Sequence, residues 1–243
     1  IYMRGQGADY DHWRQLGNPG WSWDDVHPYF LKSEGHHSGD STHHRGGGEW
    51  KVSRQRLSWE ILRAFQDAAA ESGIMPRDDF NDGNNEGSGF FEVNQNKGIR
   101  WNAAKAFLRP ALRRANLRLL IQAHTDRLLI EGARCTGLRF RWQGRSFAAT
   151  ARAGVLLAAG AINSPKLLEL SGIGRGELLQ QLGISVVHES RGVGENLQDH
   201  LQIRTVYQVS NAKTLNTVAN SWIGKATMAA EYALLRRGPL SMA

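Results

Sequence analysis

Hydrophobic spacing divides the chain near residue 116, with helical periods before it and period-two alternation after it. Residues 8–16 predict a short helix. Ser22 caps a second, with Asp24 and Asp25 in its first turn and Val26, Tyr29, Phe30 and Leu31 on its apolar side. From Ser58, the apolar positions Ile61, Leu62, Phe65, Ala68 and Ala69 predict a third helix, which Gly73 ends. Residues 34–49, rich in Gly, Ser and His, predict a surface loop, as do residues 78–89. Residues 90–94 predict a short strand, and residues 103–114 a helix that Pro110 kinks.

Beyond residue 116, segments 117–123, 127–131, 135–142 and 145–151 alternate as strands of an antiparallel meander, with turns at Glu131-Gly132 and Gln143-Gly144. Residues 154–160 form an apolar run, ending in small residues, that predicts a buried strand. A helix, a short strand at 184–188, a glycine loop at 192–194, a strand at 201–209 and a helix at 219–236 follow. The expected class is mixed α/β.

Composition narrows the function classes. Of the 243 residues 41% are apolar and 22% charged, which is ordinary globular usage. No apolar run approaches the roughly 18 residues needed to span a membrane. The net charge of +7 comes from scattered arginines. The tightest group, Arg109, Arg113 and Arg114, reads as one solvated helix face, so no nucleic-acid partner is expected. Cys135 is the only cysteine, which excludes an internal disulfide; it is expected to be buried and inert. The first residue is Ile1 and both ends fall in patterned segments, so the sequence is expected to be the middle piece of a longer chain.

Residues 158–174 carry the most chemistry. Ala158, Ala159 and Gly160 lack bulk, so backbone there can approach a ligand closely. Ser164 is a good N-cap, Pro165 a good first helical residue, and Gly172 a good left-handed C-terminal residue. A strand end of this kind holds a cofactor in doubly wound sheets. A plain strand–helix junction with good caps has the same pattern, and on the residues alone both readings stay open.

This stretch, with Gly160, Ala161, Ser164, Pro165, Leu167, Leu168, Ser171, Gly172, Ile173 and Gly174, resembles the second signature of the glucose-methanol-choline (GMC) oxidoreductases. The resemblance extends along the chain. Tyr2-Met3-Arg4-Gly5 through Trp13 is similar to the tail of the family's first signature. Residues 98–108 and 192–200 are similar to shared blocks, although Asn102 stands where serine is usual. Gly17-Asn18-Pro19-Gly20-Trp21-Ser22 and Arg237-Gly238-Pro239-Leu240 resemble the choline-dehydrogenase-like branch.

The resemblance implies part of an FAD-binding, Rossmann-like domain and the start of a sheet-and-helix substrate domain. It implies a helical and loop segment that lids the flavin at residues 1–115, FAD domain at 116–200 and substrate domain from 201 to 243. FAD is the implied cofactor. Thr125, where valine is usual, would meet the adenine through its backbone, and Ala159, Gly160 and Ala161 would lie near the adenosine and diphosphate. The implied reaction oxidises a primary alcohol, a small-molecule substrate, to an aldehyde. The electrons then pass to a quinone, a dye or dioxygen. The family's GxGxxG segment and its catalytic histidine pair have no counterpart here. No residue of this chain is therefore expected to be catalytic, and the piece alone is expected to be inactive.

Two other readings compete. The chain could be a non-catalytic nucleotide- or partner-binding module. Alternatively, His36, His37, His43 and His44 could bind a metal, with Asp40 and Glu49 as the nearby carboxylates; no physiological metal site is expected. His200, beside Asp199, is expected to play a structural role near the cofactor.

Overall fold

The computed structural model describes residues 1–242. The chain is a mixed α/β protein that divides into two compact units. Unit 1 comprises residues 1–117 and those from Tyr207 onward, and unit 2 comprises Arg118–Val206.

Unit 1 begins with helices α1 (Gly7–Gln15) and α2 (Trp23–Ser33). As expected, Ser22 caps α2. Its Oγ accepts from the Asp25 N–H while the Asp25 carboxylate accepts from the Ser22 N–H, a reciprocal capping box. Tyr10 packs against Trp23 and Phe30, which joins the two helices through aromatic faces. Strand β1 (Glu34–His36) pairs in parallel with β2 (Trp50–Val52). Only glycine fits at position 35, because a Cβ there would lie 2.3 Å from the Gly48 carbonyl oxygen. Helix α3 (Glu60–Glu71) ends at Gly73 (φ +85°), as the spacing predicts.

Residues 90–94 form no strand; only Val93 bridges to Ser53, and the pairing shifts to β3 (Gln95–Asn96) with β4 (Ile99–Arg100). Lys97 and Gly98, both at positive φ, close that hairpin. The helix expected at 103–114 is instead a π-helical turn at Ala104–Leu108 followed by α4 (Arg109–Ala111), with Pro110 in the first turn of α4.

The loop expected at 34–49 is on the surface only in part. Glu34, Gly35 and His36 are buried, Glu34 completely, and His44 is buried with them. These side chains are polar, and each finds its partner far away in sequence. Arg4 Nη2 donates to Glu34 Oε1 at 2.7 Å, His44 Nδ1 lies 3.0 Å from the same oxygen, and the Arg45 N–H donates to Glu34 Oε2 at 2.9 Å. His44 Nε2 meets Asp79 at 2.8 Å. His36 and His37 both turn their Nε2 atoms to Glu92. Burial opposes ionisation of Glu34, but the bonds from His44 and Arg45 and the Arg4 charge outweigh it and hold the carboxyl down at about 2. Burial likewise opposes the His44 cation, and its bonds to Glu34 and Asp79 overcome this and raise its pKa.

In unit 2, β5 (His124–Glu131), β6 (Arg134–Trp142) and β7 (Arg145–Thr150) form a three-stranded antiparallel sheet. Gln143 and Gly144, both at positive φ, make its tight second turn. Leu128 and Phe140 are buried in it, and Phe140 stacks on Phe147. Helix α5 (Gly160–Leu170) packs on β5, and α6 (Gly176–Gln181) follows the short β8 (Ile173–Gly174), which pairs in parallel with β9 (His188–Glu189). The strand expected at 184–188 thus pairs only at its end.

Three expected strands do not form. Residues 117–123, 154–159 and 201–209 are extended or irregular, Gly160 opens α5 instead of closing a strand, and Leu156 and Leu201 stand 99% and 95% exposed. A strand is stable only beside a hydrogen-bonded neighbour, and no described residue pairs with these segments. The helix expected at 219–236 forms as α8 (Trp222–Leu235), capped by Ser221 and preceded by a short α7 (Leu215–Ala219) that the spacing did not predict, both back in unit 1. A 3₁₀ turn at Pro239–Ser241 ends the description. Within unit 1 these late residues dock on early ones. The Gly238 N–H donates to the Arg56 carbonyl at 3.0 Å, Arg56 Nε donates to the Arg236 carbonyl at 2.9 Å, and the Gln95 amide reaches the Ser241 carbonyl.

Candidate functional site

A groove of about 510 Å³ runs in unit 2 between β5 and α5. Thr125 and Ala159, 34 positions apart in sequence, both line it, together with His124, Asp126, Arg141, Asn163 and Lys166. Gly160 follows at φ +87°, a conformation that favours glycine, and no atom lies within 4 Å of where its Cβ would be. Ala161 is exposed in the first turn of α5. Two of the four sequence-expected cofactor residues therefore line one groove, and the other two continue from Ala159 into the helix.

Local chemistry explains this corner. Helix α5 begins at Gly160, one turn before Ser164, the residue expected to cap it, because the left-handed glycine lets the chain turn early. Ser164 lies inside the helix, and its Oγ accepts from the Ala159 N–H at 3.0 Å, which fixes the entry to α5. Pro165 is accordingly within the helix, not at its start. The far end matches expectation: Gly172 takes φ +84°, and its N–H donates to the Glu169 carbonyl at 2.9 Å. Ser171 ties helix to sheet, its Oγ accepting from the Leu128 N–H at 2.8 Å and donating to the Leu167 carbonyl.

The groove suits a nucleotide-class ligand. Its volume lies in the range of small-molecule clefts. The first N–H groups of α5 have no intrahelical acceptor and carry the positive end of the helix dipole. The side chains add cations. Arg141 is held by Asp126 at 2.9 Å, and Lys166 makes no ion pair among the described residues. Asn163 and Lys166 went unread in the sequence; their spacing from Leu167 and Leu170 on one helix face was the available signal. A larger depression of about 870 Å³ borders Ser171, Gly172 and β5, but it contains none of the four expected residues.

Other candidates fall elsewhere. His200 and Asp199 are fully exposed and 3.9 Å apart. Cys135 is half-buried, not fully so, because it lies near the open end of β6. Of the four loop histidines, His44 spends both nitrogens on Glu34 and Asp79, and the His43 ring is not part of the network. Among the described residues no helix is long and apolar enough to cross a membrane.

Comparison with known proteins agrees with the sequence signatures. Residues 1–202 match the GMC oxidoreductase family. The chain is 41% identical to human mitochondrial choline dehydrogenase over 203 residues, covering 84% of this chain and 34% of that protein. It is 38% identical to the oxygen-dependent choline dehydrogenase of Brucella anthropi, covering 98% of this chain and 43% of that protein. An FAD-dependent oxidoreductase from Chaetomium thermophilum superposes with a TM-score of 0.86 at 27% identity, over 99% of this chain and 44% of that one. The chain thus spans less than half the length of each of these relatives, and it belongs to the GMC oxidoreductase family.

Proposed function

We propose that this chain forms part of an FAD-dependent enzyme that oxidises the CH–OH group of a primary alcohol, with choline-like alcohols the leading substrate class. The observation that carries this reading is the meeting of Thr125 and Ala159 in one groove, at a helix whose first residue leaves space where a side chain would sit. FAD, when bound, supplies the electron acceptance that no amino-acid side chain provides. The residues assigned to hold it are Thr125 by its backbone, with Ala159, Gly160 and the N–H of Ala161 near the diphosphate. Lys166 contributes charge at the groove edge.

In this proposal residues 116–200 belong to a Rossmann-like FAD domain that includes the antiparallel sheet as its meander. Residues 1–115 cover the flavin, and 201–243 begin the substrate domain. The proton-abstracting base lies outside residues 1–243, so the 243-residue chain alone is expected to show no alcohol oxidation. The final electron acceptor is a quinone, a dye or dioxygen. The two choline dehydrogenase names support the substrate class, and the second, being oxygen-dependent, supports dioxygen.

The test is Gly160→Val in the full-length protein. A branched side chain there stands next to groove-lining Ala159, occupies space left open at the head of α5 and meets a left-handed backbone. The variant is expected to elute from gel filtration with at least tenfold less bound flavin, at unchanged far-ultraviolet circular dichroism. Stoichiometric flavin in the folded variant would overturn the assignment.

A further inference from the structure

We propose that His36, His37 and Glu92 form a binding site for a divalent transition-metal cation of the zinc class. The inference is independent of the cofactor groove. His36 Nε2 lies 3.0 Å from both Glu92 carboxylate oxygens, and His37 Nε2 lies 2.8 Å from Oε1. All three donors fall within 4.8 Å of one another. Metal–ligand bonds of about 2.0–2.2 Å separate neighbouring donors by roughly 2.9–3.5 Å, so the two His–Glu92 contacts need only small outward shifts to admit a cation.

Adjacent strand residues point to opposite faces, and His36 and His37 would diverge if β1 continued. The strand ends at His36, and the turn that follows brings both rings to the same carboxylate. Glu92 reaches them from 55 positions away and is itself fixed, since its carbonyl accepts from the Tyr2 N–H at 2.7 Å. The His36 ring is clamped by face-to-face stacking on His44 at 3.8 Å.

Two imidazoles with one carboxylate select zinc-like cations over calcium or magnesium, which prefer all-oxygen shells. Three protein donors leave a position for water, and His37, 29% exposed, lies on the solvent side from which the ion would enter. Binding at Nε2 moves the remaining imidazole proton to Nδ1. For His37 that proton finds Ser38 Oγ at 3.1 Å, as an outer acceptor should be placed. For His36 the neighbour is the Ser38 N–H at 3.3 Å, a long contact that must open when the ring takes its Nδ1 proton.

The experiment strips the purified protein with EDTA, titrates it with zinc chloride and measures the metal retained after gel filtration, alongside thermal unfolding. One equivalent is expected, with a rise of several degrees in Tm. His37→Ala, which changes a partly exposed side chain, is expected to fold and to lose at least tenfold in zinc affinity, and Glu92→Gln to do the same if it folds. His43→Ala should retain the full equivalent. No retained zinc in the parent protein would overturn the proposal, as would zinc binding that survives His37→Ala or falls equally in His43→Ala.

Discussion

Glu34 has no accessible surface, yet it carries its charge. A buried ion survives only if its neighbours replace water, and Arg4, His44 and the Arg45 N–H do so from three directions. Glu34→Gln leaves Arg4 and His44 without their anion, and is expected to destabilise unit 1 by about 3–5 kcal/mol in urea unfolding. Replacing both members of the pair, Arg4→Met with Glu34→Leu, should cost clearly less. The pH dependence has two limbs. Glu34 ionises at about 2 when folded against an ordinary 4.5, so its contribution is complete above 4.5 and lost as the pH falls towards 2. His44 is raised above its ordinary 6.5, so its contribution is complete below 6.5 and lost as pH rises through the folded value. EDTA-treated protein should therefore be most stable between these limbs, and Glu34→Gln should flatten the acid one. An acid limb of equal depth in the variant would show that other carboxylates dominate. None of this was legible in the sequence, where glycines and histidines between residues 34 and 49 read as solvent-facing. Arg4, Asp79 and Glu92, which help make burial tolerable, lie 30 to 56 positions from the residues they pair with.

Elements with local causes were legible. The capping box at Ser22, the glycine ends of α3 and α5 and the helical spacing of α1 follow from interactions spanning a few residues. Elements that need a distant neighbour were not: residues 154–160 carry the composition of a buried strand, but residues 154–159 pair with no described strand and Gly160 starts α5. The strand-to-helix corner lies between these cases, since its glycine and serines were read correctly as special while their jobs were exchanged. Ser171 is the clearest example. It looked like one more signature position, and it satisfies the buried Leu128 N–H. Ser171→Ala removes that acceptor and is expected to destabilise unit 2 by about 1–3 kcal/mol. The loss should appear as faster amide exchange at Leu128; protection unchanged from the parent would refute the role.

At the scale of the molecule, family membership was readable from signatures spread over the chain, whereas the joining of residues from Tyr207 onward to residues 1–117 in one unit was not. Unit 1 is discontinuous: its closing contacts join residues 56, 95 and 98 to residues 235–241. Gly98 is the tightest of them, at φ +77° with space for no side chain, because a Cβ would fall 1.9 Å from the Arg236 carbonyl oxygen. Gly98→Ala is expected to undock this segment, and limited proteolysis should then cut after Arg236 and Arg237 at least tenfold faster. Cleavage at the parent rate would mean that the backbone has another way to accommodate the methyl group. The discontinuity also has a consequence for biosynthesis. A ribosome making about 5–20 residues per second needs roughly 4–18 s to pass through residues 118–206. During that interval the N-terminal part of unit 1, residues 1–117, emerges without the residues that complete it. Unit 2, encoded without interruption, is complete first, and the nascent N-terminal segment leaves its apolar surface uncovered until its last partners emerge.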